Sequence, residues 1–435
     1  MKSGQYAFGG RSEPARTLRI FIGTGEASGD LQGAMLIQAL YRQASAAGLL
    51  LEIVALGGSR MAAAGATLLA DTSAIGSVGL VEAIPYILPT LRIQQQAKRY
   101  LRQQPPDVAI LIDYQGPNLQ LGNYLRSRLP QIPVVYYIAP QVWIELKLWG
   151  IPTGHKVIQQ LSRFTDRFLA IFLSEANYLQ RHGGNVSWIG HPIVDRVQAL
   201  PNRAEARAAL GIEDNQLAVA LLPASRQQEI QYLLPTILRA AKQLQEKLPQ
   251  VYFWVPLSLP RYRAAVQRGI DRYQLRATVL PNLEIERSSQ QREYLRTCAI
   301  AAADLAITKS GTANLEIALL DVPQIVLYRL NPFTAWVSDV LLRASVPFIS
   351  PVNLVQMKTI VPELLQKQVT PANIVRHAME LLLDPARRQQ MRQDYQATRQ
   401  ALGKPGACDR AAREIFAVLQ AGRSDAQNFP ASSRT

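Results

Sequence analysis

Several stretches put chemistry-bearing residues at the ends of apolar runs. "FIGTGEASGDLQGA" (21–34) sets Gly23, Gly25, Ser28 and Gly29 around an acidic Glu26, directly after "LRI". A glycine-rich turn between a strand and a helix is the usual cradle for phosphate. A dinucleotide site would also need an acid at the end of the second strand, for the ribose. Here that strand ends in "ALGGSR" (55–60), and Glu26 puts negative charge where a pyrophosphate would lie. The nicotinamide reading fails on both counts. A ligand-free turn, with Ser28 and Asp30 capping the helix, stays open as the structural alternative.

"PDVAILID" (106–113) ends a buried run on Asp113. A carboxylate there costs desolvation unless it is paired or functional, which makes Asp113 a candidate general base. Capping the next helix or pairing with an arginine is the alternative. "LLPASRQQEI" (221–230) offers Ser225 and Arg226 to a phosphate at a helix start, or a capping box with Gln228 or Glu229. "TKSGTANLEIALLDVPQIVLYR" (308–329) ends a strand and opens a helix at Ser310, Gly311 and Thr312. Glu316 follows one turn in, suited to ribose hydroxyls or to solvent. His191 in "WIGHPIVDR" (188–196) either reaches a cleft or is a satisfied hinge histidine. "IGSVGLVEAIPYILPTL" (75–91) is apolar around glycine, as a core segment, a substrate tunnel or a membrane-dipping surface would be.

The elements that must position these residues alternate. Expected strands at 18–23, 51–58, 107–113, 134–139, 167–172 and 186–190 are separated by helical patterns such as 31–43 and 86–104. The rhythm restarts with strands at 217–223, 251–257, 277–281, 304–310 and 323–329. This is α/β with parallel sheets, in two similar doubly wound halves whose ligands sit in the cleft between them. The expected division is a disordered leader at 1–17, a first Rossmann-like domain at 18–195, a second at 196–370, helices at 371–420 and a disordered tail at 421–435.

Composition narrows the partners. The 435 residues include 47 Lys and Arg against 32 acidic residues, a formal charge of +15 that attracts anions. Two cysteines without a CxxC pair and four scattered histidines argue against a zinc site, and the cysteine usage suits a reducing compartment. No apolar run reaches the ~18 residues of a membrane span, and the polar N-terminus lacks a secretory core. Aromatic and basic residues are not interleaved as a nucleic-acid surface would have them.

Taken together, the motifs resemble the lipid-A-disaccharide synthase family, glycosyltransferases of GT-B fold. The resemblance runs in order through "GEASGDLQGA" (25–34), "GGSRMAAAG" (57–65), "VGLVEAI" (78–84), "PDVAILID" (106–113), "GHPIVD" (190–195), "LLPASRQQEI" (221–230), "KSGTANLEIALLDVPQIVLYR" (309–329) and "NLVQMKTIVPELLQ" (353–366). It implies transfer of a diacylated glucosamine from UDP-2,3-diacylglucosamine to 2,3-diacylglucosamine 1-phosphate, with no cofactor and no metal. It puts the nucleotide-sugar against Ser225, Arg226, Glu229, Ser310, Gly311, Thr312, Glu316 and Asn353. It puts the acceptor near Gly25, Ser28, Asp30, Asn118 and His191, with Asp113 and Glu26 as catalytic candidates. Val78, Leu80, Val81 and Ile84 would meet acyl chains or an anionic membrane, on the inner face of the cytoplasmic membrane, and a homodimer is left open. Departures from the family pattern fall at Ala224, "YQGP" (114–117), "LSE" (173–175), "QMKT" (356–359) and the "APQVWIELKLWG" block (139–150). They leave open a relative with another acceptor, a UDP-sugar epimerase, or a non-catalytic anionic-lipid binder.

Overall fold

Strands buried on both faces read as unbroken apolar runs, and the most apolar segments here take that place. A computed structural model of the chain describes residues 17–72, 87–113, 115–140, 147–148, 151–152, 154–223, 227–257, 259–280, 289–330 and 347–428. Val108–Ile112 and Val134–Tyr137 are buried at every residue.

The first lobe is built on β1 (Thr17–Gly23), β2 (Leu50–Gly57), β3 (Thr67–Asp71), β4 (Val108–Ile112), β5 (Val134–Tyr137), β8 (Arg167–Ala170) and β9 (Val186–Trp188). They form one sheet in the order β3-β2-β1-β4-β5-β8-β9, every pair parallel. A two-residue antiparallel pair, β6 (Lys147–Leu148) with β7 (Ile151–Pro152), stands apart from it. The connecting helices are α1 (Ala27–Ala46), α2 (Ser59–Ala63), α3 (Ile87–Gln103), α4 (Gln115–Arg128), α5 (Gly154–Ser162) and α6 (Leu173–Arg181), and α7 (Ile193–Gln198) leads out.

The second lobe repeats the plan with β10 (Leu217–Leu222), β11 (Val251–Pro256), β12 (Ala277–Leu280), β13 (Leu305–Lys309), β14 (Gln324–Tyr328) and β15 (Glu363–Leu365), ordered β12-β11-β10-β13-β14-β15 and again parallel. Its helices are α8 (Arg203–Leu210), α9 (Gln227–Tyr232), α10 (Leu234–Lys247), α11 (Arg263–Tyr273), α12 (Ser289–Ala301), α13 (Ala313–Leu319), α14 (Pro351–Gln356), α15 (Pro371–Leu383) and α16 (Pro385–Ala401). The sequence reading omits β3 and β15. β3 is a half-buried edge strand and β15 has three residues, so neither makes a strong apolar run.

The last helix, α17 (Ala407–Asn428), crosses back to pack on α1 of the first lobe. It continues through 421–428, where the sequence reading expects a disordered tail. The apolar pattern stops at Leu419, but the residues beyond it are mostly compatible with a helix, with Gly422 the main exception. The "GHPIVD" stretch turns out to be the dock for this return. Asp195 accepts from the amides of Gly406 (2.6 Å), Ala407 (3.2 Å) and Cys408 (2.9 Å), capping α17. Gly190 adopts φ 79, and a Cβ there would meet Arg410 Nη2 at 3.0 Å and the Leu402 carbonyl at 3.2 Å. The His191 amide donates to that same carbonyl at 2.8 Å. Replacing Asp195 with alanine strands three amides, so unfolding free energy should fall by about 2–3 kcal/mol. Exchange at the 406–408 amides should quicken with it. An unchanged denaturation midpoint would show that the cap does not hold the helix.

Candidate active site

In a doubly wound sheet the crevice opens where the strand order reverses, at the carboxyl ends of the strands. In the first lobe that point lies between β1 and β4, where Gly23 and Asp113 terminate their runs. Asn118, buried in the first turn of α4, closes the gap. Its Nδ2 donates to the carbonyls of Ile112 (3.0 Å) and Asp113 (2.7 Å) and lies 3.4 Å from that of Gly23. The Tyr136 hydroxyl, from β5, gives the Asp113 carbonyl a second bond at 2.8 Å. Asp113 needs this support because its φ is 44, and the neighbouring strand end carries Ile138 at φ 58. Left-handed backbone at non-glycine residues costs about 1–3 kcal/mol each, more readily tolerated where surrounding bonds over-determine it. The two strained residues are bonded to each other, Asp113 N to Ile138 O at 3.0 Å.

Gly25 and Glu26 lie in the β1–α1 turn, and Gly29 lets α1 approach. A Cβ at Gly29 would fall 1.9 Å from Thr24 Oγ1. Glu26 is the N-cap of α1 without a side-chain capping bond, and Ser28 is half-buried one residue into the helix. Asp30 corrects one expectation, for it does not cap its own helix. Its Oδ1 accepts from the amides of Gly58 (2.7 Å) and Met61 (3.1 Å) and its Oδ2 from that of Arg60 (3.2 Å), so it caps α2. His191 is buried as well. Its Nδ1 accepts the Ile193 amide at 3.0 Å and its ring lies 5.3 Å from that of Phe172, centroid to centroid. Burial lowers its pKa to about 3, so the ring is neutral.

One carboxyl near Asp113 is not singled out as a site residue in the sequence, where it ends the "LSE" departure (173–175). Glu175 is buried at the start of α6, with Oε2 accepting from Ile171 N (2.9 Å) and Phe172 N (3.2 Å). Its Oε1 is buried with no hydrogen-bond partner among the described residues. Burial raises its pKa, the two amides pull it back, the charge of Asp113 adds to the rise, and the outcome is about 8. The rise favours the neutral acid at Glu175.

In the second lobe the strand order reverses between β10 and β13. Ser310, Gly311 and Thr312 stand there, and the first two already have protein partners. Ser310 Oγ donates to Ile349 O at 2.8 Å, and the Gly311 amide donates to Asn314 Oδ1 at 2.9 Å. Thr312 is the N-cap of α13 without a side-chain bond. Glu229 pairs with Lys309 at 3.2 Å. Asn353 corrects a further expectation, since its side chain is spent inside the protein. It donates to Val361 O (3.0 Å) and Glu363 Oε1 (2.8 Å) and accepts from the amides of Ile360 (2.8 Å) and Val361 (2.9 Å). Ser225, Arg226, Val78, Leu80, Val81 and Ile84 lie outside the described residues.

Glu316 is buried, and its Oε2 meets Arg196 Nη1 at 2.9 Å. Its Oε1 is buried without a partner among the described residues, an acceptor in want of a donor. Arg196 comes from α7, at the exit of the first lobe, so this ion pair joins the two halves. The sequence reading spans Arg196 in "WIGHPIVDR" (188–196) but singles out only His191 there.

The family model described as "Lipid-A-disaccharide synthetase" matches residues 20–417. The lipid-A-disaccharide synthase of Gloeothece citriformis is 53% identical over 399 residues, covering 92% of this chain and 99% of that protein. Among solved structures, a UDP co-structure of MnaA from S. aureus covers 94% of this chain and 97% of its own, with a TM-score of 0.62 at 16% identity. Sucrose-phosphate synthase from Thermosynechococcus elongatus covers 93% of this chain and 99% of its own, with a TM-score of 0.55 at 14% identity. At such identities the likeness is one of fold. That fold is the α/β GT-B arrangement, two parallel sheets followed by a helical C-terminal segment.

The buried histidine sets a pH dependence. His191 takes a proton at about pH 6.5 when unfolded but only near pH 3 when folded. The unfolded state therefore binds more protons in that window, and stability falls as pH drops through it. From pH 7 to 5.5 the loss should be about 1 kcal/mol. His191→Gln should remove that part of the slope in denaturant titrations at the two pH values. An identical slope in both proteins would contradict the burial of a neutral ring.

Proposed function

The chain belongs to the lipid-A-disaccharide synthase family, and from that membership we propose that it joins UDP-2,3-diacylglucosamine to 2,3-diacylglucosamine 1-phosphate. The new bond links the acceptor's O6 to the anomeric carbon of the donor. The bond from that carbon to the diphosphate breaks, its electron pair leaves with UDP, and the product is a β-1,6-linked disaccharide 1-phosphate. In this reading 18–195 is the acceptor-side domain and 196–370 the nucleotide-sugar domain.

The observation that carries the reading is the strained, doubly bonded backbone of Asp113 at the crevice of the first lobe. A base that removes a hydroxyl proton while its oxygen attacks must hold its position against thermal drift. Asn118 and Tyr136 restrain the Asp113 carbonyl, so the strand end supplies that position. The raised pKa of Glu175 favours its neutral form, and the Asp113 carboxylate takes the O6 proton. Glu26, at the head of α1, is the second carboxylate of the acceptor side. Opposite, Glu316 offers Oε1 to a ribose hydroxyl. The segment with Ser225 and Arg226, together with the Ser310–Thr312 turn after exchange of its internal bonds, would stabilise charge on the departing diphosphate.

The acyl chains call for a lipid surface. Among the described residues no helix is long and apolar enough to cross a membrane. Helix α3, which follows the 75–86 stretch, leaves Leu88 67% and Leu91 45% exposed. Arg92, Arg99 and Arg102 are exposed beside them, and helical spacing puts all five on one side. Apolar side chains ringed by arginine suit the face of an anionic bilayer, here the inner face of the cytoplasmic membrane.

Asp113→Ala should lower kcat by about 10²–10⁴-fold and leave UDP affinity within about twofold. Turnover would be followed as UDP release with both lipid substrates, and undiminished turnover would refute the base assignment. Leu88→Ser with Leu91→Ser should cut co-sedimentation with phosphatidylglycerol vesicles by about fivefold at unchanged melting temperature. Equal sedimentation of the double variant and the parent would rule α3 out as the docking face.

A further inference from the structure

Three arginines from three different elements gather around one carboxylate at the junction of the lobes. Arg196, on α7, reaches Glu293 Oε1 with Nη2 at 2.9 Å, while its Nη1 holds Glu316. Arg296, one turn along α12 from Glu293, binds the same Oε1 at 2.6 Å and Oε2 through Nε at 3.0 Å. Arg60, on α2 of the first lobe, lies within electrostatic reach of Glu293, Arg296 and Arg196. Burial alone would raise the Glu293 pKa, but Arg296, Arg196 and Arg60 outweigh it and pull it down to about 2.

A plain brace between lobes would pair every guanidinium. Among the described residues that of Arg60 has no hydrogen-bond or ion-pair partner. Burial lowers its pKa, and the like charges of Arg296 and Arg196 add to the fall against Glu293 and Asp30. Asp30 fixes the start of α2 through the Arg60 amide, so the side chain projects from an anchored backbone. Three cations thus face two carboxylates, one of them Glu316 with an unfilled oxygen.

We propose that Arg60, Arg196 and Arg296 form a phosphate-binding site spanning the two lobes, with the Glu293 carboxylate occupying it in the empty protein. Guanidinium forks grip carboxylate and phosphate with the same paired geometry, so a phosphate can replace Glu293 atom for atom. A phosphate dianion also neutralises the charge that Arg60 now lacks a partner for. Because both lobes contribute, occupancy draws them together. The ligand chemistry is a phosphate ester, and the proposed reaction offers two, the donor's diphosphate and the acceptor's 1-phosphate. To that extent the source, though not the site, rests on the function proposed above.

The test uses the full chain and inorganic pyrophosphate, titrated calorimetrically without other substrates. Arg60→Ala should weaken pyrophosphate about tenfold, and Glu293→Gln, which removes the internal competitor, should tighten it about tenfold. Unchanged binding in Arg60→Ala, or weaker binding in Glu293→Gln at an unchanged melting temperature, would overturn the site. Among the described residues none bonds the Arg60 side chain, so its variant decides the matter even if Glu293→Gln fails to fold. The source follows from the same Arg60 variant. A weaker UDP affinity assigns the donor diphosphate; a raised KM for the phosphorylated acceptor, with the unphosphorylated one unaffected, assigns the 1-phosphate. If the parent protein turns over neither lipid substrate, the function reading fails while the pyrophosphate titration still judges the site.

Discussion

The structure hangs on one buried amide. Asn118 sits where β1 and β4 part, and its Nδ2 bonds the carbonyls that end β4 and approaches the one that ends β1. Without it, the Asp113 carbonyl would keep only the Tyr136 hydroxyl and the Ile112 carbonyl would lose a donor, at a cost of about 1–3 kcal/mol. The same amide, with Tyr136, makes the left-handed turn at Asp113 affordable. Sheet geometry and site geometry are therefore one arrangement: whatever loosens the strand ends also moves the aspartate.

A second constraint closes the molecule on itself. The chain crosses from the first lobe to the second at α7 and returns through α17, which Asp195 caps only a few residues before the crossing is complete. The junction thus carries two opposed connections. On one side lies the dock made by Gly190, His191 and Asp195; on the other lies Arg196, paired with Glu316 and Glu293. Neighbouring residues on one short helix face different partners. A shift of α7 would be felt at once by the C-terminal helix and by Glu316.

Much of this was legible in the sequence because parallel sheets bury their strands on both faces. Runs such as "DVAILID" and "LAVALLP" mark β4 and β10 directly, and Asp113 stands out as a charge closing an apolar run. What the sequence hid were interactions between distant segments. Nothing local says that Asp30 will reach 28 residues ahead to cap α2, or that Asn353 will fold its amide back on Val361 and Glu363. Polar residues in a motif advertise chemistry and architecture in the same letters. Glu175, with its raised pKa, and Arg196 were passed over for the complementary reason: their environment comes from burial and from the other lobe.

The two switch points differ in a way that bears on mechanism. At the first, side chains prop up a strained backbone before any ligand arrives. At the second, groups expected to meet the nucleotide-sugar are already engaged, Gly311 by Asn314, Ser310 by Ile349 and Glu229 by Lys309. A nucleotide binding there exchanges hydrogen bonds and gains only their difference, a far smaller sum than the bonds it makes. Such a site favours release. In the reaction proposed above, released UDP keeps the donor's diphosphate, which is reason to hold the proposed base rigidly and the leaving group loosely. The contrast between Asn118, which locks, and Asn314, which competes, is the form that requirement takes in this chain.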